Sequence, residues 1–160
     1  MDRLGRLYET HAPGATRLAY LLTGDRELAR DLAQDAFIRV AGRFAAIRAQ
    51  GSFEAYLRAT IYNLVRSHFR RLKVERRHLA KEANRPAPAE ETGPELRSDL
   101  NATLDDLPVR QRAVLVFRYY VDLSEQQTAE AMECSVAAVR SLTFRALESL
   151  RITVDKEDSI

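Results

Sequence analysis

Ser124-Glu125-Gln126-Gln127-Thr128-Ala129-Glu130-Ala131-Met132-Glu133-Cys134-Ser135-Val136-Ala137-Ala138-Val139-Arg140-Ser141 is the stretch that decides the fold. Ser124 followed three residues later by Gln127 is a capping box, in which each side chain satisfies the other's free backbone N–H. A two-turn helix through Thr128, Ala129 and Met132 follows, then a break at Glu133-Cys134, and Ser135 caps the next helix. On that second helix Val139, Ala146, Leu147 and Leu150 form the inward stripe, while Ala137, Arg140, Ser141, Phe144, Arg145 and Glu148 share the outward face. Helix, tight turn, helix is therefore the local architecture. Glycine is usual at such a turn, and Glu133 in its place implies an uncommon backbone angle.

Small residues and two arginines on an exposed face suit entry into the DNA major groove. There Arg reads guanine edges or holds phosphates, and Ser bonds either. Phe144 pointing outward is more easily explained at a contact surface than on a solvated helix. The plainer reading is a helical hairpin within a bundle.

Working outward, the 160 residues suggest one domain or two small helical ones. A composition 46% apolar and 30% charged is that of an ordinary core-forming chain. Six glycines and five prolines weigh against a turn-rich all-β fold. One cysteine excludes an internal disulfide and a Cys-rich metal site and suits a reducing compartment. No run approaches the roughly 18 apolar residues of a membrane span, and no signal peptide opens the chain, so the expected location is cytoplasmic.

The net charge of +2 hides segregation. Residues 54–81 carry eight Arg/Lys against two Glu, whereas 82–108 carry two Arg against seven Asp/Glu. A basic block beside an acidic one hints at a polyanionic partner, although a charged run is more often a solvated helix face.

Upstream, Leu4–Leu22 reads as helix with an early interruption at Pro13-Gly14, closed by Thr23-Gly24. Asp25 caps a second helix, with Leu28, Ala29, Leu32, Ala33, Ala36, Phe37 and Val40 at helical spacing to about Phe44. Ala45–Ser52 reads as a loop, and the helical period resumes from Phe53 and fades near Lys81. Residues 82–98, with three prolines and almost no large apolar side chain, read as a flexible linker. Beyond it, Asp99–Leu104, Pro108–Val121, Glu125–Met132 and Val136–Arg151 are helical patterns. The expected fold is all-α: a domain over 1–81 and a helix-turn-helix domain over 99–155, joined by the 82–98 tether.

Within the basic helix Asn63, Arg66, Arg70, Lys73 and Arg77 form one polar, nearly all-cationic stripe. Phe53, Tyr56, Tyr62 and Phe69 lie nearby. Cations beside aromatic rings can hold a single strand, the charges following phosphates while rings stack bases. An Asn amide can bond the edge of an unstacked base. Phe53 and Phe69 are better read as core; Tyr56 and Tyr62 fit core or contact equally.

Together these stretches resemble a bacterial sigma-70-family factor of the small extracytoplasmic-function class. The resemblance rests on Leu22-Thr23-Gly24-Asp25 with Ala29 to Phe37, on Tyr56-Leu57 with Asn63 and Arg70-Arg71, and on Leu107-Pro108, Arg112, Asp122 to Glu125 and Val139 to Leu147. It implies a specificity subunit, not an enzyme, that binds core RNA polymerase and directs transcription from promoters with −35 and −10 elements. Asp31, Gln34, Asp35 and Phe37 would meet the clamp helices of the large polymerase subunit, with burial the competing reading for Phe37. The 45–52 loop with Ser52, Tyr56, Asn63, Arg66, Arg70 and Arg71 would take the melted −10 strand. Arg140, Ser141, Phe144 and Arg145 would enter the −35 duplex, with Arg112 on its backbone. An anti-sigma protein is a further implied partner.

Three departures bear on DNA preference. Tyr56 stands where Trp is common, Leu142 where Arg is frequent, and Ala137-Ala138 in place of Gly-Thr. His11, His68 and His78 lack ligand spacing, so neither a metal nor a cofactor is expected. The rival readings are a stand-alone helix-turn-helix regulator acting as a dimer, and a helical adaptor that binds only protein.

Overall fold

The computed structural model describes residues 3–43, 52–83 and 99–158. Three helices form a first lobe: α1 (Arg3–Thr23), α2 (Arg26–Gly42) and α3 (Phe53–Ala83). A second lobe comprises α4 (Asp99–Asp105), α5 (Val109–Leu115), a π-helical turn (Val116–Tyr120), α6 (Glu125–Met132) and α7 (Val136–Asp158). The expected loop at 45–51 and most of the expected linker, 84–98, lie outside the described residues.

Helix α1 corrects one expectation, because it runs unbroken through Pro13. Proline removes one backbone donor and crowds the preceding turn, at a cost of about 3 kcal/mol in a helix interior. Both Pro13 and Gly14 lie on the exposed side, while Ala15, Leu18, Ala19 and Leu22 are buried just beyond them. Packing of that apolar face sustains the helix where local propensity alone would interrupt it.

Gly24 ends α1 at φ 73° with its N–H on the Tyr20 carbonyl at 2.7 Å. That left-handed conformation is open to glycine at little cost. Asp25 then caps α2 through a 3.1 Å bond from the Leu28 N–H, as the sequence predicts. The buried face of α2 carries Ala29, Leu32, Ala33, Ala36, Phe37 and Val40. Phe37 meets Tyr8 edge-on at 5.0 Å between centroids and Phe53 at 5.6 Å, a favourable arrangement of ring quadrupoles.

Ser52 starts α3, its Oγ accepting the Ala55 N–H at 3.0 Å. The helix buries Phe53, Leu57, Ile61, Tyr62, Leu64 and Val65. From Lys73 to Leu79 every side chain is exposed, so this end of α3 projects from the core.

In the second lobe the capping box forms in full. The Gln127 N–H donates to Ser124 Oγ at 3.0 Å and the Ser124 N–H to Gln127 Oε1 at 2.9 Å. Glu133 occupies the left-handed region at φ 53°, ψ 48°, which is the angle its replacement of glycine implied. Ser135 caps α7 through the Ala138 N–H at 3.0 Å.

The two lobes pack on each other and share one continuous core. Tyr62 of α3 and Phe117 of the π turn, both fully buried, face each other at 6.1 Å. Helix α3 also lies against α6, and α1 against α5.

Candidate nucleic-acid interface

Helix α7 presents its outward residues as expected. Ala137, Arg140, Ser141, Phe144, Arg145 and Glu148 are all exposed, Phe144 at 67%. Val139 and Ala146 are buried on the opposite side. Leu147, expected on the inward stripe, is instead exposed, and Leu142 takes its place in the core. At 100° per residue, position 142 lies closer than 147 to the direction set by 139 and 146. A buried Leu142 packs against the lobe and leaves no gap in the outward row.

Arg140 is held in place. Its Nε donates to Glu125 Oε2 at 2.9 Å, tying the recognition-type helix to the first turn of α6. That hydrogen bond holds the Glu125 carboxyl below the usual carboxylate range and raises the arginine further. Both side chains remain in solvent, where the guanidinium can exchange its partner for a base or a phosphate.

The stripe on α3 is graded. Asn63 and Arg66 are half-buried, whereas Arg70, Lys73 and Arg77 are exposed together with Arg71. Tyr56 is exposed at 37%, while Phe53 is core and Phe69 packs partly against it. Tyr62, which fitted either role, is wholly buried. Its hydroxyl makes no well-aligned hydrogen bond, and burial pushes the phenol above its ordinary range against the opposing pull of Arg66 and of Arg110, which lies beside the hydroxyl.

On α2, Asp31 and Gln34 are exposed and Asp35 is half-exposed, on one face. Asp35 accepts from Arg39 Nε at 3.2 Å, so the acidic pair with Asp31 is partly neutralised. Ile38, exposed at 62%, extends the same face and was missed in the sequence. The signal was present: Ile38 follows Gln34 and Asp35 by four and three positions, the spacing of one helix face. Phe37 is buried among rings, so its part on this face is that of support from beneath.

Arg112 departs most from expectation. Rather than standing on the surface ready for a DNA backbone, it is 5% exposed. Its Nε donates to the Leu21 carbonyl at 2.7 Å and its guanidinium pairs with Asp105 at 2.8 Å. A buried guanidinium needs such partners, and here both are internal.

Asn63 is also engaged. Its Nδ2 donates to Glu133 Oε1 at 3.0 Å, so an amide of one lobe touches the turn of the other. Among the described residues no cluster of His, Cys, Asp or Glu could hold a metal. No described helix is long and apolar enough to cross a membrane.

Comparison with known proteins covers both lobes. The family profile for Sigma-70 region 2 matches residues 7–75, and that for Sigma-70, region 4 matches residues 97–150. The chain is 33% identical over 168 residues to the ECF RNA polymerase sigma factor SigE of Mycolicibacterium smegmatis, spanning 99% of this chain and 64% of that protein. It is 32% identical to the ECF RNA polymerase sigma factor BldN of Streptomyces coelicolor over 93% of this chain and 59% of the relative. To the RNA polymerase sigma-E factor of Streptomyces coelicolor it is 31% identical, over 92% of this chain and 87% of the relative. The chain thus spans less than two thirds of the first two relatives and most of the third. The fold resembles that of the sigma factor RpoE solved with the anti-sigma factor NepR from Bartonella quintana, at a TM-score of 0.74, 18% identity and coverage of 97% and 98%.

Proposed function

The chain belongs to the sigma-70 family of RNA polymerase sigma factors, in its extracytoplasmic-function class, and from that membership we propose that it is a dissociable subunit that lends promoter specificity to core polymerase. The α2 face of Asp31, Gln34, Asp35 and Ile38 docks on the clamp helices of the large subunit. Helix α7 enters the −35 duplex with Arg140, Ser141, Phe144 and Arg145. Helix α3 takes the melted −10 strand, with Asn63 and Tyr56 at the bases and Arg66, Arg70 and Arg71 on phosphates, while Ser52 marks the entry of that helix.

The physical logic is a division of labour. Opening DNA costs a few kcal/mol per unstacked step, and capture of a flipped base offsets part of it. A face that reads paired DNA cannot also hold an unpaired strand, so two faces on two lobes are needed. Linking them raises the effective concentration of the second engagement once the first is made. Catalysis belongs to the polymerase.

The observation that carries this reading is the exposed, co-facial set on α7 standing apart from a second cationic face on α3. A stand-alone regulator would use the first and leave the α2 and α3 faces without a task. The test is co-purification: the chain incubated with bacterial core polymerase should elute with it in gel filtration. Separate elution at micromolar concentrations would reject the reading.

A further inference from the structure

Two arginines stand in the outward row of α7, and the chain treats them differently. Arg145 makes no ion pair among the described residues, whereas Arg140 is tied to Glu125 of α6, Nε to Oε2 at 2.9 Å. We propose that Glu125 is a positioning residue that sets specificity: its carboxylate steers Arg140 toward the neutral edge of a base and away from the phosphate chain. This rests on the reading of α7 as the helix that enters the −35 duplex.

The geometry suits that role. Glu125 opens α6, whose first turn is fixed by the Ser124–Gln127 capping box. Its side chain is 36% exposed against 68% for Arg140, so the acid is the more sheltered partner and anchors the other. The hydrogen bond from Arg140 also holds the Glu125 carboxyl below its usual range, which keeps it ionised at neutral pH. The carboxylate engages Nε, at the inner edge of the guanidinium fork. The two terminal nitrogens lie at the far edge, and such an edge forms paired bonds to guanine O6 and N7. Arg140 can therefore read a guanine without giving up Glu125. Holding a long side chain near its bound geometry also lowers the ordering cost of the contact.

The charge of Glu125 separates the two kinds of DNA partner. A guanine edge offers lone pairs and no net charge, so a carboxylate behind the guanidinium opposes it little. A phosphate is anionic, and bound to the same arginine it would face Glu125 at close range, where like charges repel. Phosphate contacts supply essentially all of sequence-independent binding. Glu125 thus weakens what every DNA sequence shares and spares what one sequence offers, which is how a repulsive element raises specificity. Arg145, without such a partner, stays open to phosphate. An exposed ion pair adds little to the stability of a fold, so the contact is accounted for by its effect on Arg140.

The experiment uses the full chain. Selection from a pool of duplexes randomised over one helical turn reads base preference, and a salt series on a scrambled duplex reads phosphate contacts. Glu125→Gln keeps the length of the side chain and an acceptor oxygen while removing the charge. It is compared with Arg140→Ala, with the double variant, and with Glu130→Gln, which removes an exposed charge elsewhere on α6. Glu125→Gln should lower enrichment of the Arg140-dependent guanine roughly threefold, within the worth of one base contact. It should also steepen the slope of log affinity against log salt by about 0.9, the mark of one added phosphate contact. Glu130→Gln should do neither, and in the double variant both readings should stay where Arg140→Ala alone puts them. Undiminished enrichment in Glu125→Gln, an equal change in Glu130→Gln, or a further change in the double variant would overturn the role of Glu125 and leave −35 reading by α7 intact. A parent chain with no base preference would reject that reading, and the role of Glu125 with it.

Discussion

The guanidinium of Arg112 donates to the main-chain carbonyl of Leu21, 91 positions earlier in the chain, at 2.7 Å. One bond joins a side chain of the helix that precedes the helix-turn-helix to the C-terminal turn of the first helix of the other lobe. It makes the end of α1, Gly24 included, part of the interface between lobes.

Gly24→Ala should therefore cost more than an ordinary turn substitution. The left-handed φ of 73° is strained for alanine, and the new methyl meets Asp105 and Arg112. Together these predict a loss of about 1–3 kcal/mol in urea unfolding. A variant as stable as the parent would show that the Gly24 approach is not under constraint.

Tyr62→Phe should be near neutral at pH 7, within about 1 kcal/mol, since it removes a buried hydroxyl whose one polar neighbour, Arg110, is poorly aligned with it. The alkaline arm gives a second reading. Burial raises the folded phenol above its ordinary value, so the neutral form is favoured by folding. That contribution is whole below the unfolded tyrosine value of about 10 and is lost as pH climbs through the higher folded value. Thermal melts from pH 8 to 11 should show a smaller alkaline decline in Tyr62→Phe than in the parent. Equal declines would place the hydroxyl in water.

Arg140→Ala should weaken discrimination between an intact and a scrambled −35 duplex by about 1–3 kcal/mol, the worth of one bidentate base contact. It should also free Glu125. With Arg140 present the carboxyl titrates below the usual range, and in the variant its NMR titration should move upward. An unmoved Glu125 titration would mean that the pair does not persist in solution.

Much of this was legible in short stretches of sequence. The capping box at Ser124, the Asp25 cap and the outward row from Ala137 to Glu148 depend on contacts within one or two helical turns, which spacing reports. The positive φ of Glu133 could be read from a missing glycine. Pro13 could not, because its helix is sustained by Leu18 and Leu22 packing on other elements. Arg112 reads as a surface residue for a related reason: its partner is a backbone carbonyl, which carries no residue-type signal, in a distant part of the chain. Leu142 and Leu147 both look apolar, and it is Leu142 that is covered because it lies closer to the direction set by Val139 and Ala146.

Asn63→Ala separates the two halves of the proposed mechanism. It should leave binding of closed duplex promoter by the polymerase complex nearly unchanged and reduce permanganate reactivity of −10 thymines about tenfold, as expected when one hydrogen-bonded base contact is lost. Full reactivity would remove Asn63 from strand capture.

The central claim is that this chain confers start-site choice on a polymerase that lacks it. Core RNA polymerase, with and without the purified chain, should be offered a library of linear templates and its transcripts sequenced at their 5′ ends. The account predicts that the chain concentrates initiation on templates sharing two upstream elements, and that Arg140→Ala and Asn63→Ala disperse it. Start sites identical with and without the chain would contradict the account.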